Sequence, residues 1–290
     1  MNGLLLLDKP SGITSHDAVN RVRRLFDEQS VGHLGTLDPL ASGLLPLLLG
    51  KYTRLAQYFG KQQKEYEGRI RFGFATDTYD SQGVATSGPV PVALEEIWLR
   101  AAIASRQGTL AQMPPPFSAK KVQGVPAYKL ARKGQSPNLQ PVEIQIDWLR
   151  AEIVAPDAVE FRVSISAGGY IRSLAHDLGQ QLGCGAHLAA LRRIRAGEWN
   201  IADAVTLDAL AERDAAARHA ALLHGARVLP EIPAMQVSAG TVANLRNGMQ
   251  VNLPNFSPAP LLAAFSEDGE IVAIVRRMAG TLFAPQTVLA

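Results

Sequence analysis

Leu44-Leu45-Pro46-Leu47-Leu48-Leu49 is too apolar to lie anywhere but in a protein interior, so the chain must build a core around it. Just before it comes Gly32-His33-Leu34-Gly35-Thr36-Leu37-Asp38-Pro39, where two glycines, a histidine and a threonine lead to a single carboxylate. The glycines can take positive φ and let the backbone pass close to a ligand. Pro39 pushes Asp38 towards an extended conformation and away from a helix. A carboxylate on a stiff loop beside a buried segment suggests chemistry, but an Asp-Pro pair after glycines is also an ordinary turn. On these residues alone both readings stand.

The pattern upstream and downstream mixes strands with helices. Residues 3–7 read as a buried strand, followed by a turn at Pro10-Ser11-Gly12 and a helix capped by Thr14 or Ser15, with Ala18, Val22, Leu25 and Phe26 on one face. Residues 64–74 alternate as a strand with Tyr66, Gly68, Ile70, Phe72 and Phe74 on one side. Residues 73–83 read as a polar loop, its Asp77 and Asp80 bracing turns rather than holding a cation. Residues 91–106 carry a helical pattern through Leu94, Ile97, Trp98 and Ala101. Val159, Phe161, Val163 and Ile165 then alternate with Glu160, Arg162, Ser164 and Ser166 as a half-buried strand. Gly168-Gly169 break it, and a helix begins near Tyr170 with Ile171, Leu174, Ala175, Leu178 and Leu182 as its buried stripe and Arg172 off that stripe. Arg192, Arg193 and Arg195 form a second basic cluster, and residues 207–223 read as one alanine-rich helix. From about residue 229 the chain turns proline- and strand-rich, with strands expected at 261–265 and 271–275 around Glu267-Asp268-Gly269.

A chain of 290 residues can bury a large core and suggests one big domain plus a small one. A net charge of only +3 does not announce a nucleic-acid binder, so any basic footprint must be local. It is found at residues 106–140, where Arg106, Lys120, Lys121, Lys129, Arg132 and Lys133 occur with no acidic residue. Lysine runs are by default solvated faces. Here the acid-free length, with Phe117 and Tyr128, favours an RNA-gripping insertion, since phosphates need lysine and arginine while rings stack on splayed bases. The single cysteine, Cys184, excludes an internal disulfide and fits a reducing cytoplasm. No apolar run approaches membrane-spanning length, so a soluble, cytoplasmic protein without membrane contact is expected. His16, His176, His187, His219 and His224 are scattered and show no metal-ligand spacing.

The Asp38 stretch runs on through Ala41, Gly43, Leu45-Pro46, Gly50 and Thr53. Three more blocks accompany it in order: Gly3-Leu4 with Lys9-Pro10-Ser11-Gly12-Ile13-Thr14-Ser15; Pro115-Pro116-Phe117-Ser118-Ala119 with Lys121, Gly124, Tyr128, Ala131-Arg132 and Gly134; and Gly169-Tyr170-Ile171-Arg172-Ser173-Leu174 with Asp177-Leu178-Gly179 and Leu191-Arg192-Arg193. Together the four blocks resemble the TruB-type tRNA pseudouridine synthases, strongly over residues 3–210 and weakly beyond.

That resemblance implies an α+β pseudouridine-synthase fold, a central mixed, largely antiparallel sheet flanked by helices. It implies a catalytic domain over residues 1–228, carrying the basic insertion at about 106–140, and a small β-rich PUA-like domain over residues 229–290. The implied activity is isomerisation of uridine to pseudouridine at position 55 in the T-loop of tRNA. This chemistry breaks the N-glycosidic bond, turns the base and rejoins it through carbon, with the nucleotide flipped out of its stack. It oxidises nothing, so no metal and no cofactor is implied. The implied partner is the tRNA T-arm stem-loop, with no protein partner and a monomeric enzyme. Asp38 would form the covalent adduct, with attack at ribose C1′ or base C6 left open. Arg172 would pair with Asp38 and orient it. Tyr66 would stack on the flipped base and serve the proton step, while Tyr170 and Leu191 close the pocket. His33 would contact the RNA or help extrude the base, and Lys9, Lys121 and Arg132 would bind the substrate RNA. One departure stands out: Ala167-Gly168-Gly169 replaces the family's usual Gly-Thr pair before Tyr170.

Read without the resemblance, Arg172 is an arginine near a helix start, and Tyr66 and Tyr170 are core edges. An RNA chaperone would share the basic insertion but would not require Asp38. A glycoside hydrolase would usually need a second carboxylate across the scissile bond, and no second motif-embedded one presents itself. A synthase acting on rRNA would share every catalytic part.

Overall fold

The computed structural model describes residues 1–60, 62–86, 88–118, 120–135, 137–254 and 257–289, and of Lys121 the backbone alone. Its first sheet contains β1 (Gly3–Lys9), β2 (Val31–His33), β3 (Ser42–Leu49), β4 (Lys64–Phe72) and β5 (Gly108–Gln112). After a two-strand hairpin of β6 (Lys121–Val122) and β7 (Val125–Pro126), the same sheet takes β8 (Val142–Ala155), β9 (Ala158–Ile165), β10 (Ala186–Ala196), β11 (Trp199–Asn200) and β12 (Val205–Thr206). The order is β12-β1-β3-β10-β4-β9-β8-β5, with β2 added on β3 and β11 on β10. Only the β1–β12 and β3–β10 pairings are parallel, so the sheet is mixed and largely antiparallel.

The leucine-rich runs are explained by what covers the sheet. A strand covered on both faces carries apolar residues at every position instead of alternating. Leu5, Leu7, Leu45, Leu47 and Leu49 face one core, packed with Ala18, Val22 and Phe26 of α1 (Ser15–Phe26). Leu4, Leu6, Leu44 and Leu48 face the other, shared with Tyr52 and Leu55 of the 3₁₀ turn Gly50–Tyr58 and with Phe265, Ile271 and Ile274 from the C-terminal region. Thr14 caps α1: its hydroxyl accepts from Asp17 N at 3.0 Å, and the Asp17 carboxylate accepts from Thr14 N at 2.9 Å.

Four sequence expectations change. The helix expected near residue 97 is α2 (Glu96–Ala104), but its buried face is Leu99, Ala102 and Ile103, whereas Ile97 and Trp98 are 70% and 62% exposed. Apolar residues occur on both sides of this helix, so spacing admits two stripes and docking against β8 chooses one. The acid-free segment leaves the sheet only after Gln112, because its first residues form edge strand β5, paired with β8. It then supplies the β6–β7 hairpin and the short helix α3 (Ala127–Ala131), before α4 (Ile171–Gln181) follows β9. Residues 207–223 form two helices, α5 (Leu207–Glu212) and α6 (Ala215–Ala220), because Arg213 is extended and the Asp214 carboxylate accepts from Ala217 N at 2.7 Å as the cap of the second. The three arginines of β10 do not cluster either. Arg193 is fully buried, while Arg192 pairs with Asp8 at 2.7 Å and Arg195 with Glu65 at 3.0 Å.

The C-terminal region forms a second sheet, β13 (Ala234–Gln236), β14 (Val251–Asn252), β15 (Leu261–Phe265), β16 (Ile271–Ala279) and β17 (Leu282–Val288), in the order β13-β15-β16-β17-β14. Helix α7 (Ala239–Arg246) closes one face through Val242 and Leu245. Polar contacts add to the shared core: Arg54 donates to the Val288 carbonyl at 2.9 Å, and the Tyr58 and Thr287 hydroxyls lie 2.7 Å apart. Among the described residues no helix is long and apolar enough to cross a membrane.

Candidate active site

The Asp38 loop is held from outside its own sequence. Ser15 Oγ donates to the Leu37 carbonyl at 2.9 Å and accepts from Leu37 N at 2.8 Å. Ser11 Oγ donates to the Leu40 carbonyl at 2.8 Å, and Gly12 N donates to the Pro39 carbonyl at 2.8 Å. The Lys9–Ser15 block therefore accompanies the Asp38 motif because it is its brace. Gly43, just beyond, has φ +101°, and a Cβ there would lie 2.3 Å from the Arg193 carbonyl, so only glycine lets β3 run beside β10.

Arg172 meets this loop from the start of α4. Its Nε lies 2.8 Å from Asp38 Oδ2, a close ion pair rather than an aligned hydrogen bond, and its Nη2 donates to Oδ1 at 3.3 Å. Nη1 donates to the Thr78 carbonyl at 3.0 Å and Nη2 also to the Phe117 carbonyl at 2.9 Å. Asp80 Oδ2 stands 3.8 Å from the same Nε. The guanidinium is thus buried, not through helix packing but among carboxylates and carbonyls, while the Asp38 side chain stays 38% exposed. A buried cation with fixed partners holding a half-open carboxylate on two oxygens is suited to orienting a nucleophile.

A cleft of about 250 Å³ opens over Asp38, lined by Gly35, Lys64, Tyr66, Tyr170, Leu191, Arg172 and Arg193 among others. Tyr66 and Arg193 come from facing positions of β4 and β10, and Leu191 from two residues earlier. Tyr170 is the last residue before α4, and buried Gln112 grips its backbone on both sides, accepting from Tyr170 N at 2.7 Å and donating to its carbonyl at 3.0 Å. Burial pushes the Tyr170 hydroxyl above the usual tyrosine range, the Ser118 hydroxyl pulling the other way. With the Ser173 hydroxyl donating to the Met113 carbonyl at 2.7 Å, the root of the basic insertion is tied to α4 beside Arg172. A larger groove of about 870 Å³ runs over Glu67, Arg69, Arg150, Glu152 and Arg162 on the sheet face, shares Leu191, and carries mixed charge without Asp38.

The structure brings together Asp38, Tyr66, Arg172, Tyr170 and Leu191. The other expected contacts lie elsewhere. Lys9 is fully buried, its Nζ donating to the Pro10 and Ile13 carbonyls at 2.8 Å each, and burial lowers it to about 8. It braces the turn and does not face a substrate, because its side chain runs inward from the end of β1. His33 sits half-buried in β2, off the cleft lining, with burial lowering its pKa. Arg132 is exposed at the end of α3, its guanidinium 5.5 Å over the Tyr128 ring. The Lys121 side chain, like Ala119 of the same motif, lies outside the described residues.

Sequence reasoning missed Asp80 as a partner of Arg172, and Gln112, Lys64 and Arg193. Asp80 is buried in a loop that reads as polar, its carboxylate accepting from the Thr78 hydroxyl at 2.6 Å and from Gln82 N at 3.0 Å. Its neighbour Asp77 accepts from Val84 N at 2.8 Å and only braces the loop. Among the described residues no group of three or more His, Cys, Asp or Glu side chains is arranged to hold a metal ion.

The model of the TruB family pseudouridylate synthase N-terminal domain matches residues 23–171, and that of the tRNA pseudouridylate synthase B C-terminal domain matches residues 172–228. The tRNA pseudouridine synthase B of Solibacter usitatus is 41% identical over all of both chains. That of Opitutus terrae is 48% identical over 72% of this chain and 87% of its own. Among solved structures, the archaeal box H/ACA sRNP Nop10–Cbf5 complex aligns with a TM-score of 0.72 at 25% identity, covering 99% of this chain and 86% of that one. With matches spanning both family models and a relative aligned end to end, the chain belongs to the TruB family of pseudouridylate synthases.

Proposed function

We propose that the protein isomerises uridine to pseudouridine at position 55 in the T-loop of tRNA, with Asp38 as the nucleophile. The observation that carries this reading is the Asp38–Arg172 pair, a half-open carboxylate clamped on both oxygens by a buried guanidinium at the floor of a ring-walled cleft. The family and its curated tRNA pseudouridine synthase B members support tRNA as substrate.

The reaction is balanced within the nucleotide. The C1′–N1 bond breaks, the uracil turns, a C1′–C5 bond forms, the C5 proton leaves and N1 gains a proton. Asp38 holds one partner covalently during the turn, by attack at C1′ or at C6. Tyr66 packs on the flipped base and takes part in the C5 proton step, while Tyr170 and Leu191 keep the free uracil from escaping. The basic insertion, rooted beside Arg172, closes on the T-arm, and the C-terminal sheet acts as a PUA-like contact to the tRNA body. The enzyme works in the cytoplasm as a monomer without metal or cofactor. Because product and substrate have the same mass, the tRNA is incubated with the purified protein in chelator, labelled with a carbodiimide that is retained on pseudouridine, and mapped by mass spectrometry to test the reading. Pseudouridine at position 55 is the expected product; unmodified tRNA, or pseudouridine at other positions only, would overturn it.

A further inference from the structure

Arg193 is fully buried, yet only part of its guanidinium is used. Nε donates to the Leu44 carbonyl at 2.6 Å and Nη2 to the Gly35 carbonyl at 3.1 Å, whereas Nη1 has no partner among the described residues. Lys64 lies beside it, paired with no carboxylate among the described residues. Burial and the Arg193 charge lower its ammonium to about 8. A Cβ built on Gly35 would sit 3.3 Å from Lys64 Cε, 3.5 Å from Arg193 Nη1 and 3.9 Å from Lys64 Nζ. Gly35 has φ +98°, a conformation that side-chain-bearing residues rarely adopt, so the two cations converge on a stretch of backbone that carries no side chain.

Like charges held together without a counter-ion, one fully buried and the other half-buried, are costly, and a buried N–H left unpaired adds to that cost. The nearby acids are committed elsewhere: Asp38 and Asp80 to Arg172, and Glu65 to Arg195. The missing anion must come from outside. Both cations line the cleft that holds Asp38, Tyr66 and Tyr170. Besides Arg193 Nη1, the nearest atoms around that point, Gly35 and its chain neighbours apart, belong to the flexible end of the Lys64 side chain, which can swing to meet an anion.

We propose that Lys64 and Arg193 Nη1 form a phosphate-binding subsite beside Gly35 that grips one backbone phosphate of the nucleotide whose base enters the cleft. This rests on the reading of the cleft as the site of a flipped uridine. A phosphodiester offers two charged, non-bridging oxygens, one for each cation, and is the anion every RNA substrate carries. Gripping it at the mouth of the cleft holds the nucleotide out of its stack while the base turns, so these are positioning residues.

Two measurements test it. The first is the thermal midpoint of the full-length protein in inorganic phosphate against chloride at equal ionic strength, for wild type and Lys64→Met. The variant loses an uncompensated charge but keeps its length, so without phosphate its midpoint should equal or exceed that of wild type. Phosphate should raise the wild-type midpoint and leave the variant's unchanged; equal stabilisation of both, or of neither, overturns the subsite. The second is kcat/KM on T-arm hairpins carrying one methylphosphonate at each linkage around the target uridine. At one linkage the neutral group should cost wild type about tenfold. The same group should cost Lys64→Met, itself about tenfold slower, nothing further. Losses that multiply at every linkage overturn the assignment. Wild type inert on the unmodified hairpin would refute the proposed reaction instead, and the phosphate measurement would still decide the subsite.

Discussion

Asp80 lies 3.8 Å from the Nε of Arg172, and the two side chains are only 7% and 6% exposed. One buried arginine therefore serves two carboxylates, a buried one and the half-open Asp38. Thr78 and Gln82 fix Asp80, Asp80 and the Thr78 carbonyl fix the guanidinium, and the guanidinium fixes Asp38. Asp80→Asn keeps the shape and removes the charge. Its kcat should fall at least about tenfold with little change in KM for tRNA, because pre-organisation is lost and RNA contacts are not. A raised KM at unchanged kcat would assign Asp80 to RNA binding instead.

Asp38→Asn keeps volume and much of the hydrogen bonding but removes the nucleophile. Turnover should drop by more than about 10⁴-fold, while tRNA affinity in a filter-binding assay stays close to wild type, since lysine and arginine contacts supply most of it. Pseudouridine formed at an appreciable rate by the pure variant would end the covalent role of Asp38.

Arg172→Lys keeps the charge but cannot span both Asp38 oxygens or reach the Thr78 and Phe117 carbonyls together. A loss of about a hundredfold in kcat is expected, the scale of a misplaced reactive group. Tyr66→Phe deletes only a hydroxyl from a buried ring; tRNA should bind normally and turn over about 10² to 10⁴-fold more slowly. Single-turnover kinetics separate the two effects, and a Tyr66→Phe enzyme with most of its activity would reassign the proton step.

Lys64 makes a pH prediction with a definite sign. Its pKa is lowered from 10.5 to about 8 in the folded protein by burial and the Arg193 charge. Below pH 8 it is charged in both states, and the native state carries the whole cost. Between pH 8 and 10.5 only the unfolded chain holds the proton, so this residue makes folding more favourable as pH rises through that window. The thermal midpoint of Lys64→Met minus that of wild type, measured without RNA or phosphate, should be largest near pH 7 and shrink by pH 10. A difference that is flat with pH would mean Lys64 titrates normally.

The two sheets share a core, so the tail cannot be removed cleanly. Leu4, Leu6, Leu44, Leu48 and Tyr52 pack with Phe265, Ile271, Ile274 and Leu289. A chain ending at Val228 should aggregate or melt well below full-length protein. Ile274→Ala should cost about 2–5 kcal/mol and lower a single cooperative transition rather than split it. Two separated transitions in calorimetry would show that the C-terminal sheet folds on its own.

Local order settled much of what could be read in advance. Thr14 caps α1 because threonine three residues before Asp17 satisfies two orphan amides within one turn. β9 alternates because one of its faces is buried, and Asp38 is held out of a helix by its own Pro39. Such effects act between residues a few positions apart, and the four ordered blocks carried the family with them. What only the tertiary structure decided is long-range. Asp80 and Arg172 lie far apart in the chain, and nothing in a polar Thr-Asp-Thr loop says that its second carboxylate will be buried against an arginine. Lys9 looks like an RNA contact because it is basic. It is turned inward because its strand is covered on that face, and a strand's covering layer is chosen by packing rather than by the strand. Ile97 and Trp98 were misplaced for the same reason: a short helix with apolar residues on two sides has its buried face chosen by the surface it docks on.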